Sequence, residues 1–432
     1  MSIVLKEEII DEIKARASIV DIVGRYVNIK RAGVNYKGLC PFHSENTPSF
    51  VVSEDKQIFT CFGCGATGDV IEFVKKIENI DFVDAIEKLA KDCGIELKGH
   101  TNSVSEKRKE QLYKLNREAA LFFYNQFNKP QNPGIKYMRA RGINDATLKR
   151  FGIGYADDSW DSLYKFFKSK GIDEKVLLDL GLLSFSKDKY FDKFRNRVMF
   201  PIINTRGKVI GFGGRAIDDQ SLPKYLNSPE SLIFQKKNNL YGLNLSRQEI
   251  QKLDAVILVE GYMDVISLYQ QGVRNIAASL GTALTIQQAQ MLKRYTENVI
   301  IAYDSDEAGK AASLRAMDIL YEAGCKVKIL QMKGFKDPDE YIKANGKQAF
   351  IMLIQNAIPI IEYKLMLLKK GFNFNSTEDK VRYVQKAADI LSKLRSEIEI
   401  DAYIKKIAAE TKISENAIKI EILGNNKDIH TR

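Results

Sequence analysis

Two short pairs of potential metal ligands constrain the fold of this chain more than any other feature. The pairs are Cys40-Pro-Phe-His43 and Cys61-Phe-Gly-Cys64, with seventeen residues between them. Pairs at this spacing form turns that bring both side chains to one ion, and the ligand types suit tetrahedral zinc. A redox role for Cys61 and Cys64 leaves Cys40 and His43 unexplained. Because four ligands close the coordination sphere, we expect one structural zinc per chain in a small ribbon-like domain.

Length and charge limit the class of protein. The chain has 432 residues, of which 45% are hydrophobic, so it can form two or three separate cores. A net charge of +11 favours a polyanionic partner, although charge alone does not separate nucleic acid from a membrane surface. No apolar run approaches the roughly 20 residues of a membrane span, and the first residues are unlike a secretion signal. We therefore expect a cytoplasmic protein with no membrane partner.

The pattern along the chain predicts a multidomain α+β protein. From residue 255, apolar strand candidates alternate with helical segments, which is typical of a parallel α/β sheet. These strand candidates are Ala255–Val259, Asn275–Ala278, Val299–Tyr303 and Val327–Leu330. The predicted segments are the zinc ribbon (1–98), a polar linker (99–110), a mixed basic subdomain (111–252), the sheet subdomain (253–345), and a helical bundle with a frayed polar tail from Gly424 (346–432).

Acidic residues follow three of the four strand candidates. They are Glu260 and Asp264 after the first, Asp304 and Asp306 after the third, and Asp337 and Asp339 after the fourth. Because ligands bind beyond the carboxyl ends of parallel strands, we expect these carboxylates to meet at one sheet edge. Such a group suits Mg²⁺ or Mn²⁺, with positions left open for phosphates. The alternative is that each acid only interacts with the dipole of the helix after it.

A stretch rich in basic and aromatic residues precedes the sheet. Cations that bind phosphates and rings that stack on bases are what a groove for single-stranded nucleic acid needs. The alternative is a solvated charged surface above core aromatic rings. The basic residues are Lys193, Arg195, Arg197, Arg206, Lys208, Arg215, Lys224, Lys236 and Lys237.

Together these motifs resemble the bacterial (DnaG-type) DNA primase family, from the ribbon to about residue 345. Besides the ribbon, the resemblance is carried by Arg197-Val-Met-Phe-Pro201, Gly211-Phe-Gly-Gly-Arg215, Pro223-Lys-Tyr-Leu-Asn-Ser-Pro-Glu230 and Glu260-Gly-Tyr-Met-Asp264. The last segment resembles the start of the TOPRIM fold, which primases share with topoisomerases and some nucleases. Ser305 stands where the family more often has glycine, and we expect little effect because serine tolerates turns.

The resemblance implies a DNA primase, a nucleotidyltransferase that copies single-stranded DNA into short RNA primers from ribonucleoside triphosphates. It also implies a DNA-binding ribbon that selects the start site. The six acids would hold the metal ions, with Glu260, Asp304 and Asp306 catalytic. Arg215, Lys224 and Lys236 would line the groove for template and nucleotide. Two rivals remain: another TOPRIM enzyme that cuts DNA, and a non-catalytic recombination mediator, which would lack the Arg215 to Lys236 signatures.

The sequence pattern of the C-terminal third predicts one helical bundle. Apolar residues between 360 and 423 can bury one bundle, but hardly a second independent domain. The family usually carries a further domain that binds the replicative helicase, and we expect that domain to be missing here. We therefore expect a monomer that primes on its own and is little stimulated by the helicase.

Overall fold

A computed structural model describes residues 7–43, 45, 47–78, 80, 82–95, 103–218, 222–281, 283–394 and 396–429. The chain forms two compact units, Met1–Gln111 and Leu112–Arg432. Within the described ranges, no helix is both long enough and apolar enough to cross a membrane.

The first unit contains a five-stranded antiparallel sheet with four helices. Alternate residues of the strands point inward, as the two-residue period requires. Phe50 and Phe59 stack at 5.4 Å inside this core, and Phe73 from a helix packs beside them. The strands, in sheet order, are β1 (Lys30–Ala32), β2 (Asn35–Gly38), β3 (Phe50–Ser53), β4 (Ile58–Cys61) and β5 (Thr67–Gly68). The helices are α1 (Glu7–Arg16), α2 (Ile19–Gly24), α3 (Val70–Glu78) and α4 (Phe82–Asp92).

The described part of the predicted linker 99–110 is helical, and the boundary between the two compact units lies beside its predicted end, between Gln111 and Leu112. Helix α5 (Ser103–Phe127) begins inside the stretch 99–110. Lysine, glutamate, arginine and glutamine favour helix even without apolar periodicity, and this is why a polar stretch resembled a linker. Residues 99–102 lie outside the described ranges.

The second unit begins with a mixed subdomain around a four-stranded antiparallel sheet. Its strands are β6 (Gly154–Ala156), β9 (Arg197–Ile203), β10 (Val209–Ala216) and β11 (Tyr225–Asn227), in the order β11-β10-β9-β6. A hairpin of β7 (Leu183–Ser186) and β8 (Lys189–Asp192) lies outside this sheet. Its helices after α5 are α6 (Pro133–Ala140), α7 (Asp145–Phe151), α8 (Ser162–Lys168), α9 (Glu174–Asp179) and α10 (Leu243–Leu253), with a 3₁₀ turn at Lys236–Asn238.

The predicted parallel sheet is present. Its strand order is β13-β12-β14-β15-β16, and all pairs are parallel except the last. All four residues of β12 are buried, as expected for a strand covered on both faces. The strands are β12 (Val256–Val259), β13 (Ile276–Ala278), β14 (Asn298–Ile301), β15 (Lys326–Ile329) and β16 (Ile358–Pro359). The helices are α11 (Tyr262–Gln270), α12 (Ile286–Lys293), α13 (Glu307–Glu322) and α14 (Pro338–Gln355).

The C-terminal helices share one hydrophobic core with this sheet. That core joins Val327 and Ile329 of β15 to Leu365, Leu391 and Ile404 of the helices. The helices are α15 (Ile360–Lys369), α16 (Thr377–Leu391), α17 (Glu397–Thr411) and α18 (Glu415–Ile429). The sequence predicted a frayed tail from Gly424, but α18 continues to Ile429, because buried residues earlier in the helix anchor it and no proline interrupts it. The boundaries at 252 and 345 stay predictions.

Candidate functional site

The predicted zinc ligands converge in the first unit. Ligand atoms of Cys40, His43, Cys61 and Cys64 all lie within 4.8 Å of one another. The Sγ atoms of Cys40 and Cys64 are 3.8 Å apart, and His43 Nδ1 is 3.8 Å from Cys61 Sγ. Each pair forms a turn in which a backbone N–H points at the first sulfur, as from Phe42 to Cys40 Sγ at 3.4 Å. This donor set and its spacing fit a tetrahedral zinc ion.

The predicted acids meet at one edge of the parallel sheet. Strands β12 and β14 are neighbours, and the backbone N–H of Asp304 donates to Glu260 Oε1 at 3.1 Å. The N–H of Ser305 donates to the Lys336 carbonyl at 2.8 Å, which holds the loop before Asp337 beside the same turn. Among the described residues, only the zinc ligands have their ligand atoms within 4.8 Å of one another. The carboxylates of the acidic edge are therefore spaced farther apart than the zinc ligands.

Three of the acids also stabilise helix starts, as the alternative interpretation predicted. Asp306 Oδ1 accepts the Gly309 N–H at 2.8 Å, and Asp337 Oδ1 accepts the Glu340 N–H at 2.8 Å. Asp264 Oδ2 accepts the Gly261 N–H at 3.1 Å. Each of these bonds uses one carboxylate oxygen and leaves the other for a further ligand. Capping and metal binding are therefore compatible roles for the same residues.

Burial and mutual repulsion make negative charge costly at this edge. Burial first, and then the neighbouring Glu260, raises the pKa of Asp304 to about 7. Burial also raises the pKa of Glu260, with a further contribution from Asp306. Asp264 is buried, and this burial raises its pKa well above the usual range. A divalent cation would offset this cost, so the carboxylates fit a hard metal ion such as Mg²⁺.

Asp339 differs from the other predicted acids because cations already compensate its charge. Lys343 Nζ lies 2.7 Å from Asp339 Oδ1, and Arg141 lies 3.3 Å from its Oδ2. Asp339 is only 5% exposed. No local sequence pattern indicates this pairing, because Arg141 is 198 positions away in the chain. Among the six predicted acids, Asp339 is the one least available to a metal.

The three predicted groove residues lie in different environments. Arg215 is buried, donates to Tyr225 Oη at 2.6 Å and lies over the Tyr137 and Tyr225 rings. Lys224 is exposed on the connection between β10 and β11, next to Arg215 in the sheet. Lys236 lies on the 3₁₀ turn and is only partly exposed. Of the three, Lys224 is the most accessible to a nucleic-acid phosphate.

One tyrosine joins the two sheets of the second unit. The Tyr262 ring stacks on Phe200 at 5.0 Å, and its hydroxyl donates to Asn227 Oδ1 at 2.7 Å. A Cβ atom at Gly213 would lie 2.5 Å from the Tyr262 ring. Glycine at 213 is therefore needed for the close packing of β10 against the helix that begins at the acidic edge.

Arg195 of the predicted basic stretch lies against an exposed tryptophan that was not predicted from the sequence. Trp160, the only tryptophan, is 62% exposed, and the Arg195 guanidinium lies 3.9 Å from its ring centroid. The Trp160 carbonyl accepts the Asp192 N–H at 2.8 Å, and the Trp160 ring packs edge-on against Phe191 with ring centroids 5.4 Å apart. Burial and then the charge of Lys236 lower the pKa of Lys193, which lies two positions before Arg195 in the chain. A lone tryptophan in a polar loop was the available signal.

Four family models match successive parts of the chain. They are a CHC2 zinc finger (residues 5–105), the N-terminal domain of the DNA primase catalytic core (122–247), a Toprim-like domain (257–342) and the DnaB-helicase binding domain of primase (361–416).

Similarity over nearly the whole of this chain shows the family. A DNA primase of Clostridium acetobutylicum is 48% identical over 434 residues, which cover 98% of this chain and 72% of that protein. The chain belongs to the bacterial DNA primase family. A second DNA primase, of Halalkalibacterium halodurans, is 40% identical over 96% of this chain and 71% of its own length. This confirms the predicted function: the chain is a DNA primase, a nucleotidyltransferase that synthesises RNA on a DNA template.

Solved primase structures share the fold. The crystal structure of the Aquifex aeolicus primase, with its zinc-binding and RNA polymerase domains, is 35% identical with a TM-score of 0.61, covering 95% of this chain and 98% of that one. A DnaG primase catalytic domain bound to single-stranded DNA is 32% identical with a TM-score of 0.65, covering 72% of this chain and 99% of that one. These similarities confirm the predicted α+β architecture.

The prediction that the helicase-binding domain is missing was wrong. The model for that domain matches residues 361–416, within the helices that the sequence assigned to a single structural bundle. The error has a physical origin: the apolar residues of this region do pack against the sheet, but burial of one face leaves the opposite face of each helix available.

Proposed function

We propose that primers are synthesised at the acidic edge of the parallel sheet, with Mg²⁺ or Mn²⁺ held by Glu260, Asp304 and Asp306 as the catalytic carboxylates. Asp264 and Asp337 add negative charge around these three carboxylates. Asp339 acts mainly through its ion pairs. The proposal rests on the contact between Asp304 and Glu260 and on the cost of keeping these buried carboxylates ionised without a cation.

The reaction joins two ribonucleotides aligned on the template. The 3′ hydroxyl oxygen of one forms a bond to the α-phosphorus of the other, the bond to the bridging oxygen breaks, and pyrophosphate leaves with the hydroxyl proton passing to solvent. A divalent ion, when bound, supplies positive charge for the phosphates. The helix starts that hold Asp306 and Asp337 keep the carboxylates oriented, and Arg215, Lys224 and Lys236 contribute positive charge toward template and nucleotide.

The direct test combines single-stranded DNA, labelled ribonucleoside triphosphates and Mg²⁺ with the chain. We expect short RNA that depends on template and is abolished by a chelator. Cleavage of the DNA without RNA synthesis would instead support a nuclease built on the same fold.

The template path is proposed to extend from Lys224 and Lys236 to the exposed cluster of Lys193, Arg195 and Trp160. The cluster offers a stacking ring beside the Arg195 guanidinium, and the charge of Lys236 acts on Lys193, which we take to connect the cluster with the groove. Nearby acids of the same loop are engaged locally, as when Asp157 accepts from Ser159 and Ser162. Asp161 of the same loop pairs with Lys165 at 3.0 Å, which offsets part of the negative charge near the path.

Trp160 provides its own optical test of this path. Because it is the single tryptophan of the chain, titration with oligo-dT should quench the intrinsic fluorescence in a saturable way. Trp160→Ala should weaken binding about 5- to 150-fold, the effect of losing one stacked base. Phe185→Ala is the control, since Phe185 is also exposed but packs on Tyr190 rather than on Arg195. Unchanged fluorescence at saturating DNA would remove Trp160 from the path.

Lys224→Ala should lower the log-log salt slope of single-stranded DNA binding by about 0.7, the value for one lost phosphate contact. Lys252→Ala serves as the matched control, because Lys252 is also highly exposed but lies on α10 near Glu249. Affinities measured by anisotropy over a salt series give the slopes. Equal slopes for Lys224→Ala and the parent chain would mean that Lys224 does not contact the template.

The ribbon is proposed to hold one structural zinc and to bind DNA at the start site. Four protein ligands leave the metal no open position for substrate. We also retain the five predicted segments, with the linker boundary revised, and propose a cytoplasmic monomer.

Residues 361–416 are proposed to bind the replicative helicase. Ile398 of α17 is 85% exposed, whereas Ile400, Ile404 and Ile407 of the same helix are buried. An exposed apolar side chain opposite a buried face is available to a protein partner.

Cognate helicase should therefore raise primer yield about tenfold or more at low primase concentration, because tethering increases the local concentration of primase on the template. Ile398→Asp should reduce this stimulation without changing basal synthesis. Met352→Asp changes another exposed apolar residue, on α14 and outside the matched region, and should leave stimulation intact. Absence of saturable stimulation of the parent chain would contradict the proposal.

A further inference from the structure

Glu45 lies between the two ligand pairs of the zinc site and is held by several donors. Its Oε1 accepts the backbone N–H of Cys40 at 2.7 Å and that of Ser49 at 3.0 Å. The Ser49 hydroxyl donates to Glu45 Oε2. The carboxylate side chain is only 10% exposed. The position of this carboxylate is therefore fixed relative to the first ligand pair.

The Oε2 atom of this carboxylate, besides accepting from Ser49, faces the imidazole of His43. Glu45 Oε2 lies 3.4 Å from His43 Nε2, while His43 Nδ1 is 3.8 Å from Cys61 Sγ. The two ring nitrogens thus point in different directions, one at the carboxylate and one at the other ligands. A distance of 3.4 Å is slightly longer than the usual 2.7–3.2 Å of an N–H···O bond, and a small rotation of the ring closes it.

We infer that Glu45 is a positioning residue for zinc: it accepts the Nε2–H of His43 and so holds the tautomer whose Nδ1 lone pair faces the metal. A neutral imidazole carries one N–H and one lone pair, so a fixed acceptor at Nε2 selects the ligating nitrogen. An outer carboxylate of this kind orients a metal-bound histidine and makes it a stronger ligand.

The second ligand pair is held close to the same group. Ser49 Oγ lies 3.2 Å from Cys61 Sγ, and the Phe62 N–H donates to the Ser49 carbonyl at 3.0 Å. A Cβ atom at Gly63 would lie 2.7 Å from His43 Nε2 and 2.9 Å from Ser49 Oγ. Gly63 therefore allows the second turn to close against His43 and Ser49, so that Glu45 and Ser49 connect both pairs.

The test measures release of zinc from the full chain to a chromophoric chelator. In Glu45→Gln the amide oxygen still accepts from the backbone N–H groups of Cys40 and Ser49. The amide NH₂ group, however, faces the His43 Nε2–H, and two donors cannot form a hydrogen bond with each other. We expect release to become about 10- to 100-fold faster, the usual effect of losing an outer carboxylate. Glu54→Gln is the control, since Glu54 is an exposed acid of the same unit. Release from Glu45→Gln at the parent rate would overturn the inference.

A double-mutant cycle separates action through His43 from a purely structural role. In a His43→Cys background the ligand at this position has no imidazole, so Glu45→Gln should no longer accelerate release. The same acceleration in both backgrounds would mean that Glu45 acts through the backbone, and the inference would be wrong. Nitrogen NMR gives an independent check, because the chain has three histidines. Zinc-bound His43 must carry its proton on Nε2, and a proton on Nδ1 would contradict the inference.

Discussion

Asp304→Asn is expected to lower RNA synthesis by about 10³-fold or more, because a metal-held carboxylate supplies several kcal/mol of stabilisation to the transferring phosphate. The fold should survive the change. Burial raises the pKa of Asp304 to about 7, above its unfolded value of roughly 3.9, so its ionisation lowers stability as pH rises from about 4 to about 7, and the loss is complete above that pH. Removing the charge should leave the metal-free thermal midpoint at pH 8 unchanged or higher.

Glu307→Gln is the matched control for this experiment. Glu307 lies at the start of α13, directly after Asp306, but its side chain is 91% exposed and pairs with Lys310. It should retain parental activity. If Asp304→Asn kept near-normal synthesis at saturating Mg²⁺, Asp304 would not belong to the catalytic site. If it lost both activity and thermal stability, the residue would be structural.

Cys64→Ser is expected to abolish stoichiometric zinc binding and to unfold the first unit while the second stays folded. Structural zinc in small domains contributes about 10–16 kcal/mol of apparent binding free energy at neutral pH, more than a unit of this size can replace. The two units have separate cores, so loss of one need not affect the other. Metal analysis and limited proteolysis of the full chain measure both effects.

Cys93→Ser provides the comparison for this change. Cys93 is a free cysteine of the same unit and does not belong to the ligand set. Its replacement should leave one zinc per chain. Careful purification that gave no zinc in the parent chain would contradict the account of the ribbon.

The features predicted well from the sequence are those fixed by local pattern. Strand β12 is an apolar run that ends at Glu260, and the sheet rule then places Asp304 beside it. The four zinc ligands were found in the same way, because their spacing is itself a geometric constraint. In both cases the chemistry follows from neighbours in the sequence or from the ends of parallel strands.

The features that were missed depend on contacts between distant residues. Arg141 neutralises Asp339 across 198 positions of the chain, and the tyrosine environment of Arg215 arises from the packing of β10, β11 and α6. Neither contact is marked by a local pattern in the sequence. The helicase-binding region was missed for another reason: buried and exposed apolar residues alternate on the same helices, and Ile398 cannot be told from a core residue in the sequence alone.

The most direct test of the acidic edge is cleavage of the polypeptide by bound iron. Fe²⁺ replaces Mg²⁺ at oxygen sites, and with ascorbate and peroxide it generates radicals that cut the backbone beside the ion. If the metal is held at this edge, cuts are expected near Glu260, Asp304 and Asp337. Excess Mg²⁺ should suppress these cuts, and Asp304→Asn should weaken them. Cuts elsewhere, or cuts at these positions that Mg²⁺ does not suppress, would show that the catalytic metal is not held at this edge of the sheet.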